Sequence, residues 1–188
     1  MPTHVALLRG INVGGRNRVS MADLRALVTS LAHTDVATHI QSGNVLFTST
    51  QTNTSVIAAA LECAIAESLS VRPKVVVLSR DELSQVVADN PYPDEMNPQC
   101  LHAVFTSEQI GPDQLATIAA AAQRATDKGS HDEATVIGRT LFLHTPDGLG
   151  RSELAAQLAR AGGPLAAAGS ATVRNWATVT KLLAMCRA

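Results

Sequence analysis

Apolar residues along this chain come in short runs punctuated by glycine, asparagine and proline. His4 to Leu8 is one such run; it ends at Arg9-Gly10 and reads as strand one. Ser20, with Asp23 three residues later, has the form of a capping box in which Asp replaces the usual Glu or Gln. It opens a helix to about Leu31, with Met21, Leu24, Leu27, Val28 and Leu31 on one face. Val36 to Ile40 and Asn44 to Thr48 are predicted strands around a tight turn at Ser42-Gly43. Thr54 or Ser55 starts a long helix through Leu69, Lys74 to Leu78 is a fourth strand, and Ser79 caps a helix to about Asp89. The order is β-α-β-β-α-β with a trailing helix.

Asn90 to Gln99 contains Pro91, Pro93 and Pro98, which cannot continue a helix or a central strand, and reads as a linker. It divides the chain into 1–92 and 93–188. The second part repeats the order: a strand Leu101 to Thr106, a helix Pro112 to Ala125, a hairpin of Glu133 to Ile137 and Thr140 to His144, a helix Arg151 to Ala161, a strand Ala171 to Arg174, and a last helix capped by Asn175. Gly43 falls on Gly138 and Leu46-Phe47 on Leu141-Phe142 at one offset, and Leu7-Leu8 on Val104-Phe105 at nearly the same one. Matching element order at near-constant offset predicts an α+β fold made of two duplicated halves, each with helices on one face of an antiparallel sheet. Val5-Ala6-Leu7-Leu8 and Val75-Val76-Val77-Leu78 do not alternate polar with apolar, as a one-sided sheet would. Val5, Leu7, Val75 and Val77 are therefore expected to be buried, under the other half of the chain or under a second copy in a homodimer.

Hydrophobic residues make up 46% of the chain and aromatics 3%, so the core is aliphatic. The net charge of −1 gives no global field toward nucleic acid or membrane. Cys63, Cys100 and Cys186 have neither metal nor redox spacing, and Cys63, in an apolar helical run, reads as a small core residue. The thiols read as reduced and the chain as soluble and cytoplasmic, with no signal-type leader and no run of roughly 18 apolar residues to span a membrane. The six histidines lack metal-binding spacing, so no metal and no cofactor is expected. No nucleophile elbow or paired Cys/His pattern marks a catalytic group. His131-Asp132-Glu133 reads as a solvated approach to a strand, and Asp94 and Glu95 as carboxylates of a mobile linker.

Local charge is less even. No acidic residue precedes Asp23, while Arg9, Arg16 and Arg18 all fall in that stretch. The loop from Arg9 to Arg18 joins a strand to a helix N-terminus. Its three glycines permit close approach of backbone N–H groups, and its arginines add full charges. The candidate anion-binding set is Arg9, Asn12, Gly14, Gly15 and Arg16, with Arg18 peripheral. Three further stretches are secondary candidates. Gln41-Ser42-Gly43-Asn44 is also ordinary turn chemistry. Pro146 to Ser152 repeats the strand–glycine–arginine–helix pattern and adds Arg151, though Asp147 opposes an anion. In Arg174-Asn175-Trp176, with Lys181 beyond, Asn175 is a cap, Trp176 a core anchor, and Arg174 and Lys181 cations that could line a site.

Leu8 to Gly15, Gln41 to Val45, Pro146 to Ser152 and Arg174 to Lys181 together resemble the bacterial family called domain of unknown function 1697, over about Thr3 to Leu183. The sequence departs from that pattern at Glu153 and Ala177. The resemblance implies a tandem of two ferredoxin-like subdomains and no established activity, cofactor or partner.

Three functional readings follow. One is a binding protein for a phosphate-bearing ligand, a nucleotide or RNA; RNA stacking on the sheet face is discounted, because strands one and three offer only Phe47, which should be buried. The others are an enzyme using the same loops and an assembly protein without a small ligand. A geometric expectation accompanies the first. Strands one and three are expected to run parallel, so that the loops after them emerge side by side; if an approximate two-fold axis relates the halves, the Arg9 loop and the loop at Arg151 could face each other across the junction and bracket one site. Gln41 to Asn44 and Arg174 to Trp176 would then lie at the opposite ends of their sheets.

Overall fold

The computed structural model describes residues 1–14, 17–160 and 170–187. The chain forms two compact units, Met1–Gln85 with Lys181–Ala188, and Val86–Thr180.

The first unit begins with β1 (His4–Arg9), α1 (Met21–Ser30), β2 (Thr34–His39), β3 (Asn44–Thr48), α2 (Thr54–Leu69), β4 (Lys74–Ser79) and α3 (Arg80–Ala88). Its sheet has the order β2-β3-β1-β4 with every neighbour antiparallel. Paired residues share a face. Ala6, Leu8, Val45, Phe47, Val75 and Val77 therefore lie on one face, where they join Leu24, Leu27 and Val28 of α1 and Ile57, Leu61 and Ile65 of α2 in one apolar cluster. Val5, Leu7, Leu46, Val76 and Leu78 point the other way and are also buried. Both faces are covered, as the unbroken apolar strands require. Phe47 is fully buried between the rings of His4 and His33, 5.7 and 4.7 Å away between centroids.

Helix starts follow local chemistry. Ser20 Oγ accepts from the N–H groups of Ala22 and Asp23, Asn53 Oδ1 from Ser55 and Val56, and Ser79 and Glu82 exchange reciprocal bonds at the start of α3. Cys63 corrects the sequence reading. Helix α2 is apolar nearly all round, so composition gives no stripe; the buried positions are Ile57, Leu61 and Ile65, and Cys63 faces solvent with its thiol donating to Glu67 Oε1 at 3.3 Å.

The second unit contains β5 (Leu101–Thr106), α4 (Pro112–Asp127), β6 (Glu133–Ile137), β7 (Thr140–His144), a 3-10 turn at Leu149–Arg151, α5 (Glu153–Leu158) and β8 (Ala171–Asn175), with α6 (Trp176–Arg187) following. Its sheet order is β6-β7-β5-β8, again antiparallel throughout, the same plan as the first. Val104, Leu141 and Leu143 pack against Ile118, Ala121 and Ala125 of α4 and Leu154 and Leu158 of α5. The helix expected over 151–161 is shorter, because Ser152 caps α5 after the 3-10 turn; Ala161 lies outside the described residues. The segment 90–99 carries no helix or strand. No helix among the described residues is long and apolar enough to cross a membrane.

Candidate functional site

The loop after β1 is built by its own side chains. Asn12 adopts a left-handed φ of 54°, and its carboxamide is fully engaged: Nδ2 donates to the carbonyls of Val19 and Gln41 at 3.0 and 2.9 Å, and Oδ1 accepts from Val19 N–H at 2.9 Å. Asn17 closes the loop by donating to Gly10 O at 2.9 Å, while its own carbonyl accepts from Asn12 N–H at 3.0 Å. Ile11 is buried beneath, and Val13 and Gly14 are exposed. Gly15 and Arg16, both in the expected ligand set, lie outside the described residues.

Strands β1 and β3 are antiparallel, with His4 opposite Phe47 and Leu7 opposite Asn44, which overturns the parallel arrangement expected from the sequence. The reason is connective. The crossover through α1 brings β2 back parallel to β1, and the β2–β3 hairpin then reverses β3, so it opposes both neighbours. The loop after β1 therefore emerges beside the 41–44 turn, not at the opposite end from it. Gln41 takes the Asn12 bond, and Gly43 O accepts from Leu8 N–H at 2.8 Å. Gly43 has φ of +75°, and a Cβ there would stand 2.8 Å from both Leu8 Cβ and Ile11 Cδ1. Asn44, fully buried, donates to His39 O and Ser42 Oγ, both at 3.0 Å.

Left-handed backbone concentrates here. Gly10, Asn12, Gly14, Asn17, Ile40 and Gly43 are six of the twelve described residues with positive φ, and all belong to these two loops. Ile40 is a β-branched residue at φ 51° with its side chain half in water; such conformations persist where the surroundings impose them and gather at ligand sites. Arg9 and Arg18 are exposed. Arg9 sits directly opposite Lys74 on β4, placing two cations side by side at the rim. Lys74 reaches Glu62 at 3.1 Å; Arg9 has no carboxylate partner among the described residues.

The strand-to-helix loop after β7 in the second unit is built differently. Gly148 has φ of +89°, and Arg151 is exposed at the end of the 3-10 turn. Asp132 is buried rather than solvated, correcting the sequence reading, and it fills the start of α5: its Oδ2 accepts from Ser152 Oγ at 2.8 Å and from Leu154 N–H at 3.4 Å. The helix end that might draw an anion already holds one from the protein itself. Lys128 and Glu153 pair at 2.5 Å nearby, and His131 and Asp147 at 3.3 Å.

Arg174, Asn175 and Trp176 also depart from their expected position. β7 ends at His144 opposite Leu101, and β8 ends at Asn175 opposite His102, so both strand ends lie at the same end of the sheet. Arg174 is buried within β8, donates to Thr172 Oγ1 and Val173 O at 2.7 and 2.8 Å, and is pushed down to about 10 by desolvation. Asn175 Oδ1 caps α6 by accepting from Thr178 N–H. Trp176 is half-buried and packs its indole 6.0 Å from the Phe142 ring, an anchoring contact. Lys181 is exposed.

One cluster left no trace in the sequence pattern. Glu95, expected on a mobile linker, is fastened to the second sheet: Oε2 lies 2.7 Å from His144 Nε2, and Oε1 accepts from Asn97 N–H at 2.7 Å. Those bonds, the backbone one foremost, hold its carboxyl below the ordinary range. Tyr92 stacks on His144 at 5.1 Å, and its hydroxyl meets Thr135 Oγ1 at 3.0 Å. Nothing in the spacing of Tyr92, Glu95 and His144 announces the contact; it exists because the linker doubles back onto β6 and β7.

Comparison with solved structures finds a conserved bacterial protein, SP0830 from Streptococcus pneumoniae, with a TM-score of 0.73 at 24% sequence identity over 98% of each chain. At that identity the likeness is one of fold. None of the curated proteins matches the sequence. A family model matches residues 1–142, which include the β1–α1 loop and the 41–45 turn but stop short of the Pro146 and Arg174 stretches. The chain belongs to the family described as protein of unknown function DUF1697.

Proposed function

We propose that the chain binds a phosphate-bearing ligand through the β1–α1 loop of its first unit, with Arg9, Gly14, Gly15 and Arg16 as the contacting set and Asn12 as the staple that shapes it. The carrying observation is the convergence of left-handed loop backbone and a cationic rim: six positive-φ residues in two touching loops, beside Arg9 and Lys74. α1 is capped by Ser20, so attraction for an anion comes from the arginines and from loop N–H groups more than from the helix end. The strand order of each sheet favours two duplicated ferredoxin-like subdomains as the scaffold. Among ligands, a nucleotide or a single-stranded RNA phosphate suits the loop. Stacking of bases on the sheet does not, because Phe47 is sealed in the core.

An enzymatic reading would draw on Tyr92, Glu95 and His144. Nε2 of His144 is spent on Glu95, and Nδ1 is buried, 3.9 Å from Glu133, so the group serves as a fastening rather than a reagent.

The test is an amide-resolved NMR titration of the full chain with inorganic phosphate, a nucleoside monophosphate and a short RNA. Saturable shifts at Gly10, Val13 and Gly14 are expected, with binding weakened roughly tenfold or more by Arg9→Gln, the loss of one charge-assisted contact. A steep linear fall of log affinity with log salt identifies RNA over a small ligand. Absence of shifts with all three probes, or equal affinity in Arg9→Gln, overturns the proposal.

A further inference from the structure

A second group of cations meets at the other end of the first sheet. A hollow of about 230 Å³ is lined by Met1, Arg80, Asp81, Ser84 and Arg187. His4 pairs with Ser79 and Arg9 with Lys74, so the six-residue strand β1 separates this hollow from the Arg9 loop by about 17 Å. Arg187 NH2 donates to Ser84 Oγ at 2.9 Å, which ties the end of α6 to α3 and fixes one guanidinium on the wall. Arg80 opens α3 and supplies the second.

Neutralisation inside the hollow is incomplete. Asp81 Oδ1 lies 3.7 Å from Arg80 Nε, beyond hydrogen-bond distance, and its side chain is 92% exposed, so water screens it. Glu82, the next carboxylate, is turned back to accept from Ser79 N–H at 2.8 Å in the capping box. That box also satisfies the start of α3, so the positive character belongs to the side chains. Two guanidiniums line one hollow, and their planar forks match the oxygens of a phosphate.

We propose that this hollow is a distinct oxyanion site in which Arg80 and Arg187 hold a phosphate group, free or as the end of a small monoester. The volume lies below the roughly 300–1,000 Å³ of sites for whole drug-sized ligands, so it takes the phosphate end and leaves the remainder in solvent. The site is independent of the Arg9 loop and stands or falls separately from it.

The experiment is a titration of the full chain with inorganic phosphate and, in parallel, glycerol phosphate at low ionic strength, read by amide and arginine Nε resonances. Saturable shifts at Ser84 and Arg187 are expected. They should weaken roughly tenfold or more in the Arg80→Gln/Arg187→Gln variant and stay unchanged in Arg9→Gln, since only the former removes the charge-assisted forks. Tighter glycerol phosphate than phosphate identifies a monoester site, and the reverse a site for the free ion. Should the double variant fail to fold by circular dichroism, Arg187→Lys, which keeps the charge and loses the fork, is expected to weaken binding alone. Non-saturating shifts, equal affinity in the substituted protein, or perturbation confined to residues 8–18 overturns the proposal.

Discussion

Gly43→Ala is the sharpest probe of the convergence that builds the candidate site. Two independent costs meet at this position. The backbone φ of +75° is one an L-residue adopts at a penalty of about 1–2 kcal/mol. The new methyl would also stand 2.8 Å from Leu8 Cβ, which is fixed to the β1 backbone and cannot swing away, and equally close to Ile11 Cδ1. Relieving such overpacking costs about 1–3 kcal/mol, against a gain of about 0.4–1 kcal/mol from restricting the unfolded chain. The net expectation is a loss of about 2–4 kcal/mol. Gly14→Ala is the matched control: its φ is +57° and nothing lies within 4 Å of the added carbon, so only the conformational penalty applies, about 1 kcal/mol after the same offset. Native-state hydrogen exchange at the β1 and β3 amides reads the opening free energy of this sheet directly. A Gly43→Ala protein within about 0.5 kcal/mol of the parent, the range of an ordinary surface substitution, or no worse than Gly14→Ala, refutes the steric account.

Three other outcomes are expected. Asp132→Ala removes the acceptor of Ser152 Oγ and Leu154 N–H and should destabilise the α5 end of the second unit by about 1–3 kcal/mol, with faster exchange at Leu154 and Ala155; unchanged exchange there contradicts the capping role. His4 and His33 are held below their ordinary value of 6.5, by burial foremost. As pH falls through 6.5 the unfolded chain takes up protons before the folded one does, so stability of the first unit drops, and His4→Gln/His33→Gln should flatten that slope; a slope as steep as the parent's counts against it. Of the three free thiols only Cys63 is exposed, so one equivalent should react rapidly with Ellman's reagent in the native protein. Glu67 raises that thiol's pKa, so Glu67→Gln should accelerate the reaction at neutral pH; three equal rates would be inconsistent with the burial of Cys100 and Cys186.

Periodicity carried most of the element order. The hairpin strands at 133–137 and 140–144, β5 and α2 start and stop where glycine, proline and cap residues say they should. The unbroken apolar strands announced a sheet buried on both faces. What periodicity does not encode is long-range partnership: Asp132 reads as solvated until Ser152 is beside it, and Glu95 as mobile until His144 is beneath it. The direction of β3 relative to β1 is legible in the element order. The helical crossover through α1 returns β2 parallel to β1, and the hairpin then reverses the chain, so β3 must oppose β1. Following that constraint would have brought Gln41 to the Arg9 loop from sequence alone.

The two glycine- and arginine-bearing loops, after β1 and after β7, hold different places in the shared plan and are built differently. Each leads to a helix whose first N–H groups are already occupied, by Ser20 in one unit and by Ser152 with Asp132 in the other. Neither helix end is then a free anion site, and any attraction has to come from side chains. In the second unit Lys128 pairs with Glu153, and the carboxylate of Asp147 lies in the same loop as the exposed Arg151. In the first unit Arg9 and Arg18 have no such partners among the described residues, and Lys74 adds a third cation that Glu62 only partly offsets. Charges left uncompensated at such a rim cost stability through mutual repulsion and return it when an anion arrives. On the proposed reading the first unit is the ligand-bearing half. Its binding energy is then one that salt should erode, since exposed arginines are screened beyond a Debye length of about 8–10 Å.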